Sequence, residues 1–213
     1  MPLRRPVRPT GIRSRTHRRG SRSALSGAAA GALAATVALT GCSSTDGQGK
    51  GNAAFTRQGS SVVETVAKDG RRAAPELSGV TLDGKQLRLT DYRGKVIAIN
   101  LWASWCPPCR AETPELVKVS GETRNDVVFI GLNSDHDKDP ATKFEKEFGV
   151  RYPSWHDPSG KLALRFPKGS FNPQGIPSTL FIDRNGKIAA RALSPIGEDD
   201  LRKALAPLVA EKV

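Results

Sequence analysis

The chain has 213 residues and a formal net charge of +12 at neutral pH, a balance that points first to nucleic acid or an acidic surface. Position removes that reading: residues 1–41 carry eight arginines and no acid, and the rest of the chain sets 25 basic residues against 21 acidic ones. A surplus that mild, with no nucleic-acid-binding motif, excludes a nucleic-acid partner and assigns the charge to a targeting segment.

The Arg-rich stretch reaches Arg22, and an apolar, Ala-rich stretch follows from Ala24 to Thr40. It is too weakly hydrophobic for a permanent span and well suited to a signal segment. It ends at Leu39-Thr40-Gly41-Cys42, which resembles a bacterial lipobox. Residues 1–41 are therefore predicted to be removed, with Cys42 lipidated as the mature N-terminus. The competing reading is an ordinary secretory signal, and Arg18-Arg19 leaves twin-arginine export open. Lipid would hold the protein on the extracytoplasmic face of the cell membrane. Residues 42–72 read as the lipidated end and a flexible tether, Gly/Ser-rich over 43–60 and undecided between strand and helical turn over 61–72.

Residues 73–213 read as one domain of α/β class. Only three cysteines are present, which leaves no structural disulfide framework, so stability must come from the core. Leu77–Leu82 and Gln86–Leu89 flank Asp83-Gly84, a hairpin signal near the domain's N-terminus. Asp91-Tyr92-Arg93-Gly94 reads as a turn. Lys95–Trp102 is a nearly continuous apolar run, as expected of a strand covered on both faces. A helix is predicted from about Cys106 through Pro114 to about Gly121, with Pro107 and Pro108 in its first turn, where absent N–H groups cost nothing. Asp126–Leu132 is the next buried strand. Asp139-Pro140 is predicted to open a helix ending at Gly149, and a short helix is predicted from about Gly160 to Phe166. Ser178–Asp183 and Lys187–Leu193 should pair across Arg184-Asn185-Gly186, and Glu198–Ala210 should close the chain as an amphipathic helix. Strands alternating with helices imply a mixed sheet flanked by helices.

The chemistry concentrates at Cys106-Pro107-Pro108-Cys109. Structural zinc needs two further ligands, and neither a second cysteine pair nor a close-spaced His136/His156 pair supplies them. The redox reading rests on context: the pair follows a buried strand and opens a helix, where aligned peptide dipoles favour a thiolate on Cys106. Neither intervening proline can donate a hydrogen bond, so the N–H of Cys109 is expected to point at the Cys106 sulfur. Cys106 is then the exposed attacking thiolate and Cys109 the buried resolving thiol.

The run Trp102-Ala103-Ser104-Trp105-Cys106-Pro107-Pro108-Cys109-Arg110-Ala111-Glu112-Thr113-Pro114 resembles the active site of the TlpA/ResA/DsbE-like thioredoxin-fold family. The likeness extends over about residues 73–211 and includes Gly94-Lys95 before the central strand and Gly175-Ile176-Pro177-Ser178-Thr179 before a later one. It implies a thioredoxin fold and extracytoplasmic thiol-disulfide exchange. That exchange is often in the reductive branch that keeps apocytochrome c haem-attachment cysteines reduced. The implied partners are disulfide-bearing exported proteins and a membrane electron-transfer partner. Pro177 matches the family's cis-proline, with the Ile176 backbone meeting an incoming peptide. Glu112 matches an acidic residue one turn after Cys109, which could accept the proton of that thiol. Asn100 stands where cytosolic thioredoxins carry a buried aspartate, leaving Glu112 as the obvious carboxylate. Trp105, Pro107, Pro108, Ile176 and Pro177 are the expected peptide-binding residues. Trp102 is read as core, Arg110 as surface, and Asp135-His136-Asp137 as a solvated loop. Pro167 to Gly175 is the stretch expected to influence partner choice.

No metal is expected, and no cofactor beyond the redox-active disulfide Cys106–Cys109. The direction of exchange is set by reduction potential, and a reductase is favoured over a disulfide-forming oxidase of the same fold. A Cu(I) chaperone is a weaker alternative, because Met1 is the only methionine. A thiol peroxidase would need a threonine three residues before its cysteine, and Ala103 occupies that place.

Overall fold

The computed structural model describes residues 54–172 and 175–212. The predicted signal segment and Cys42 lie outside the described residues. The centre is a seven-stranded sheet built from β1 (Thr56–Arg57), β2 (Val63–Thr65), β5 (Val96–Trp102), β6 (Val127–Asn133), β7 (Ser154–His156), β8 (Ser178–Ile182) and β9 (Ile188–Ala192). Its strand order is β1-β2-β9-β8-β5-β6-β7. The β5–β6 and β6–β7 pairs are parallel and all others antiparallel. A separate two-stranded hairpin joins β3 (Ser78–Val80) to β4 (Gln86–Arg88). Its turn places Gly84 at φ 85°, a conformation glycine adopts without steric cost.

The central strand shows why a continuous apolar run belongs here. All seven residues of β5 are buried, and successive side chains point to opposite faces. Val96 and Ala98 join the core under α1 (Pro107–Thr123) and α3 (Glu198–Ala210), with Leu116, Val119, Leu201 and Leu205. Ile97, Ile99 and Leu101 face the other way, into a core shared with Leu77 and Leu87 of the hairpin region, Trp155, Phe166 and Phe171. A third cluster lies at the C-terminal end of β5. There Trp102, Ala103, Cys106 and Cys109 meet Leu82 and two residues of α2 (Lys138–Phe148), Ala141 and Phe144.

Four expectations need correction. The described end of the predicted tether is not all tether, since β1 at Thr56–Arg57 pairs with β2. Over 61–72, left open between strand and turn, the strand forms, with β2 paired to β9, the Val66 N–H donating to the Ala189 carbonyl, and Val63 and Val66 buried. Polar residues conceal this strand because Glu64, facing Arg191 across the ladder, satisfies its charge with Arg191 and Arg57. The helix expected over 160–166 is only a 3-10 turn, Ala163–Arg165. Gly160 sits at φ 68° and Asp157 Oδ2 accepts the N–H groups of Leu162 and Ala163, which leaves too few residues before Pro167 for an α-helix. The third correction concerns α2, which starts at Lys138 with Asp137 at the N-cap, placing Pro140 at its third position, still in the first turn, rather than at its first. Its predicted end holds, with Gly149 left-handed at φ 66°. The fourth is β7, a three-residue strand that the sequence reading omits; it is too short to carry a periodic signal.

Candidate active site

The redox pair sits where β5 hands the chain to α1. The Cys106 N–H donates to the Ala103 carbonyl at 3.2 Å, closing a turn with Ser104 and Trp105 at its centre. Trp105 stands out of this turn with 67% of its surface exposed, and Pro107 and Pro108 beside it are also exposed. Cys106 is the N-cap of α1, and its sulfur accepts the Cys109 N–H at 3.2 Å. The two prolines impose this, because they carry no donor of their own. Cys106 and Cys109 are joined as a disulfide, with an S–S distance of 2.06 Å.

Cys106 differs from the exposed thiolate expected from the sequence. In the disulfide it is 2% exposed, hardly more than Cys109 at 0%. The third cluster encloses it, and Ile176 packs against the same cluster. The Ile176–Pro177 peptide bond is cis, as the resemblance implies. The β5–β8 register, with Leu101 opposite Ser178, sets Pro177 level with the end of β5 from which the redox loop departs. Ile176 also packs against the core that holds the edge-to-face pair Phe166 and Phe171, and so links Phe171, within the stretch expected to influence partner choice, to the site.

Glu112 is not on the surface. It is 4% exposed, with Oε1 accepting from Asn100 Nδ2 at 2.8 Å and Oε2 accepting the Ile196 N–H at 2.9 Å. Asn100 also donates to Thr179 Oγ1 at 3.1 Å. Burial raises the Glu112 carboxyl to about 7, against the lowering effect of the Ile196 N–H and Asn100, with Glu115 pushing it further up. Asn100 thus holds the carboxylate of Glu112 rather than replacing one.

Asp135 also departs from the sequence reading. His136 and Asp137 are exposed, but Asp135 is 3% exposed. Its carboxylate accepts from Ser104 N at 2.9 Å, Ser104 Oγ at 2.8 Å and Asn133 Nδ2 at 2.7 Å. Three consecutive charged or ionisable residues look solvated in a sequence; only the return of β6 alongside β5 brings the first of them under the redox loop. Trp102 is core, with its ring 4.5 Å from that of Phe144. The Arg110 guanidinium lies over Phe144 and Phe148 at 5.4 and 5.0 Å and pairs with Glu147, so it helps to dock α1 on α2. Among the described residues no group of three His, Cys, Asp or Glu side chains could hold a metal ion.

The pattern of this site meets known proteins at this point. The sequence pattern of the Redoxin family matches residues 67–206. The chain belongs to the Redoxin family. It is 30% identical over 135 residues to the thiol-disulfide oxidoreductase ResA of Geobacillus thermodenitrificans, a match covering 62% of this chain and 74% of that protein. It is 35% identical over 118 residues to the thiol:disulfide interchange protein HelX of Rhodobacter capsulatus, covering 55% of this chain and 62% of that one. Among solved structures, a secreted thiol-disulfide isomerase from Corynebacterium glutamicum superimposes with a TM-score of 0.68 at 27% identity, covering 76% of this chain and 99% of that one. The Redoxin-family chain described here is a thiol-disulfide oxidoreductase of the thioredoxin fold.

Proposed function

We propose that this oxidoreductase works outside the cytoplasm, anchored by lipid at Cys42, and reduces disulfides in exported proteins, apocytochrome c among them. The observation that carries disulfide exchange at this pair is Cys106 at the N-cap of α1 with its sulfur taking the Cys109 N–H; the reductive direction rests on the likeness to the TlpA/ResA/DsbE-like family. A helix N-terminus and that donor stabilise a thiolate there once the pair is reduced.

The exchange follows from these positions. The Cys106 thiolate attacks one sulfur of a substrate disulfide, forming a mixed disulfide and releasing the other substrate sulfur as a thiolate. The Cys109 thiol then loses its proton to the Glu112 carboxylate and attacks the Cys106 sulfur. The first substrate sulfur leaves as a thiolate, so the substrate gains two electrons and Cys106–Cys109 closes as a disulfide. Glu112 lies three residues after Cys109 on α1, which puts their Cβ atoms on one face about 5–6 Å apart. A carboxyl raised to about 7 exchanges protons at neutral pH. Trp105, Pro107 and Pro108 offer an exposed apolar rim, and the Ile176–Pro177 backbone offers the edge along which a substrate peptide would align. A membrane dithiol donor would return the electrons.

A second reading, a disulfide-forming or isomerising enzyme, draws on the likeness to the C. glutamicum isomerase, which spans more of this chain than ResA does. Equilibration with glutathione separates the two. A pair that glutathione leaves largely oxidised supports a reductase, and a pair it readily reduces supports the oxidase. In parallel, Cys109→Ser expressed in the native host should collect exported proteins as mixed disulfides on Cys106 in the membrane fraction. Recovery of the bound partners only from the soluble fraction would remove the lipid anchor from the proposal, as would an intact mass lacking lipid on Cys42.

A further inference from the structure

Asp135 lies two residues past the end of β6 and under the turn that delivers Cys106, although it is remote from it in sequence. Both of its oxygens are committed to Ser104: Oδ2 takes the backbone N–H at 2.9 Å and Oδ1 takes the hydroxyl at 2.8 Å. Asn133 fixes the carboxylate from its own side, donating from Nδ2 at 2.7 Å and accepting the Asp135 N–H at 3.2 Å. The neighbouring Ser134 N–H donates to the Trp102 carbonyl at 3.0 Å. Trp102 through Ser104 is therefore held from below by Ser134 and Asp135. Ser104 is a central residue of the turn that the Cys106 N–H closes on Ala103, so its clamp sets where Cys106 begins the helix.

The donors on this carboxylate are neutral, and it is 3% exposed. A buried carboxylate held by neutral donors is costly, and an amide of the same shape could accept the Ser104 N–H without that cost. What the amide lacks is the charge. Ser104 precedes Cys106 by two residues, which limits their Cα separation to about 7 Å. A buried negative charge bonded to the residue two before Cys106 disfavours a thiolate on Cys106. The other ionisable groups around the loop are Glu112 on α1, Arg110 one residue past the pair, His156, whose Nε2 meets the Asp135 carbonyl at 3.0 Å, and the exposed His136 and Asp137.

We propose that Asp135 is a positioning residue for the redox pair: it fixes the Ser104 turn and opposes the Cys106 thiolate, holding the reduction potential of Cys106–Cys109 low. This deepens the reductase reading and rests on it for its biological sense. The sign follows from the equilibrium. A less stable thiolate makes the dithiol less stable relative to the disulfide, and a pair whose disulfide is favoured is the better electron donor.

The test is the equilibrium of the whole protein with glutathione at pH 7, for the wild type, Asp135→Asn, Asp135→Ala and Ser104→Ala, with thermal unfolding of each oxidised protein alongside. Asp135→Asn keeps the shape and one acceptor while removing the charge, and should shift the equilibrium toward the dithiol about tenfold, or about 30 mV for a two-electron couple. Ser104→Ala keeps the charge and the backbone bond, and should shift it less than threefold. An unchanged equilibrium in Asp135→Asn overturns the proposal, and a lowered melting temperature without a redox shift would reduce Asp135 to a structural brace. Should Asp135→Ala not fold, the Asn and Ser104 variants still decide. A wild-type pair that glutathione readily reduces would sink the reductase reading, whereas the Asp135→Asn shift would still uphold the electrostatic role of Asp135.

Discussion

Two buried carboxylates at opposite ends of the molecule show how differently the same group is used. Asp183, at the end of β8 away from the redox pair, is 2% exposed and meets the Arg71 guanidinium at 2.9 Å and the N–H groups of Asn185 and Lys187 at 2.9 Å. Arg71 also grips Glu211 past the end of α3 with bonds of 2.6 and 2.7 Å, so one cation ties the region before β3, the β8–β9 turn and the C-terminal helix together. Glu112, at the redox end, is 4% exposed and is held, among the described residues, by an amide and a backbone N–H. Bonded to a cation that also holds Glu211, Asp183 serves as a staple. Burial, with only neutral donors against it, raises Glu112 to about 7 and makes a group that can hold or release a proton at neutral pH.

The comparison can be broken first at the cysteines. Cys106→Ser should abolish disulfide exchange, a loss of at least about a thousandfold. Cys109→Ser should leave the first attack intact and stop at the mixed disulfide. Gel-shift trapping with a peptide disulfide checks both, and trapping by Cys106→Ser in place of Cys109→Ser would reverse the assignment.

At the opposite end, Arg71→Ala should destabilise the fold by about 3–5 kcal/mol, because it strands a buried carboxylate. It should leave the reduction potential unchanged. Urea unfolding and glutathione equilibration measured on one preparation check that separation, and a shifted potential would mean that the two ends are coupled.

Glu112→Gln sharpens the contrast through pH. The folded carboxyl is raised from 4.5 to about 7, so between those values the folded state binds more protons than the unfolded chain and stability falls as pH rises. A shift of that size corresponds to about 3 kcal/mol lost above pH 7. The Gln variant escapes that loss but turns a donor toward the Ile196 N–H, which returns about 1 kcal/mol of it. Its melting temperature should therefore exceed the wild type's at pH 8 and fall slightly below it under pH 5. Release of mixed disulfides should slow by about a hundredfold, the low end of the usual share of a proton acceptor. Superimposable stability and rate profiles across pH would leave Glu112 with no proton role.

The smallest effect is expected at Trp105. With 67% of its surface exposed, Trp105→Ala should change stability by no more than about 0.5 kcal/mol. It should raise the KM for protein disulfides severalfold while sparing a small-molecule disulfide. Equal losses on both substrates would take Trp105 out of the peptide-binding rim.

Local chemistry determined much of this protein from sequence alone. The apolar run of β5, the Asp83-Gly84 hairpin and the Gly149 helix end are written in neighbouring residues, because periodicity and backbone freedom are properties of short segments. The Cys109 N–H on the Cys106 sulfur was legible for the same reason: two prolines leave no other donor in that turn. Tertiary structure alone decided what depends on residues far apart in the chain. It buried Glu112 by bringing Asn100 and Ile196 to it, and it covered Cys106 with α2 and Ile176. It drew β2 into the sheet through Glu64 and Arg191, and it turned Asp135 from one acid in a polar loop into the clamp on Ser104. Burial and charge environment are sums over all neighbours in space, and a sequence lists only the neighbours along the chain.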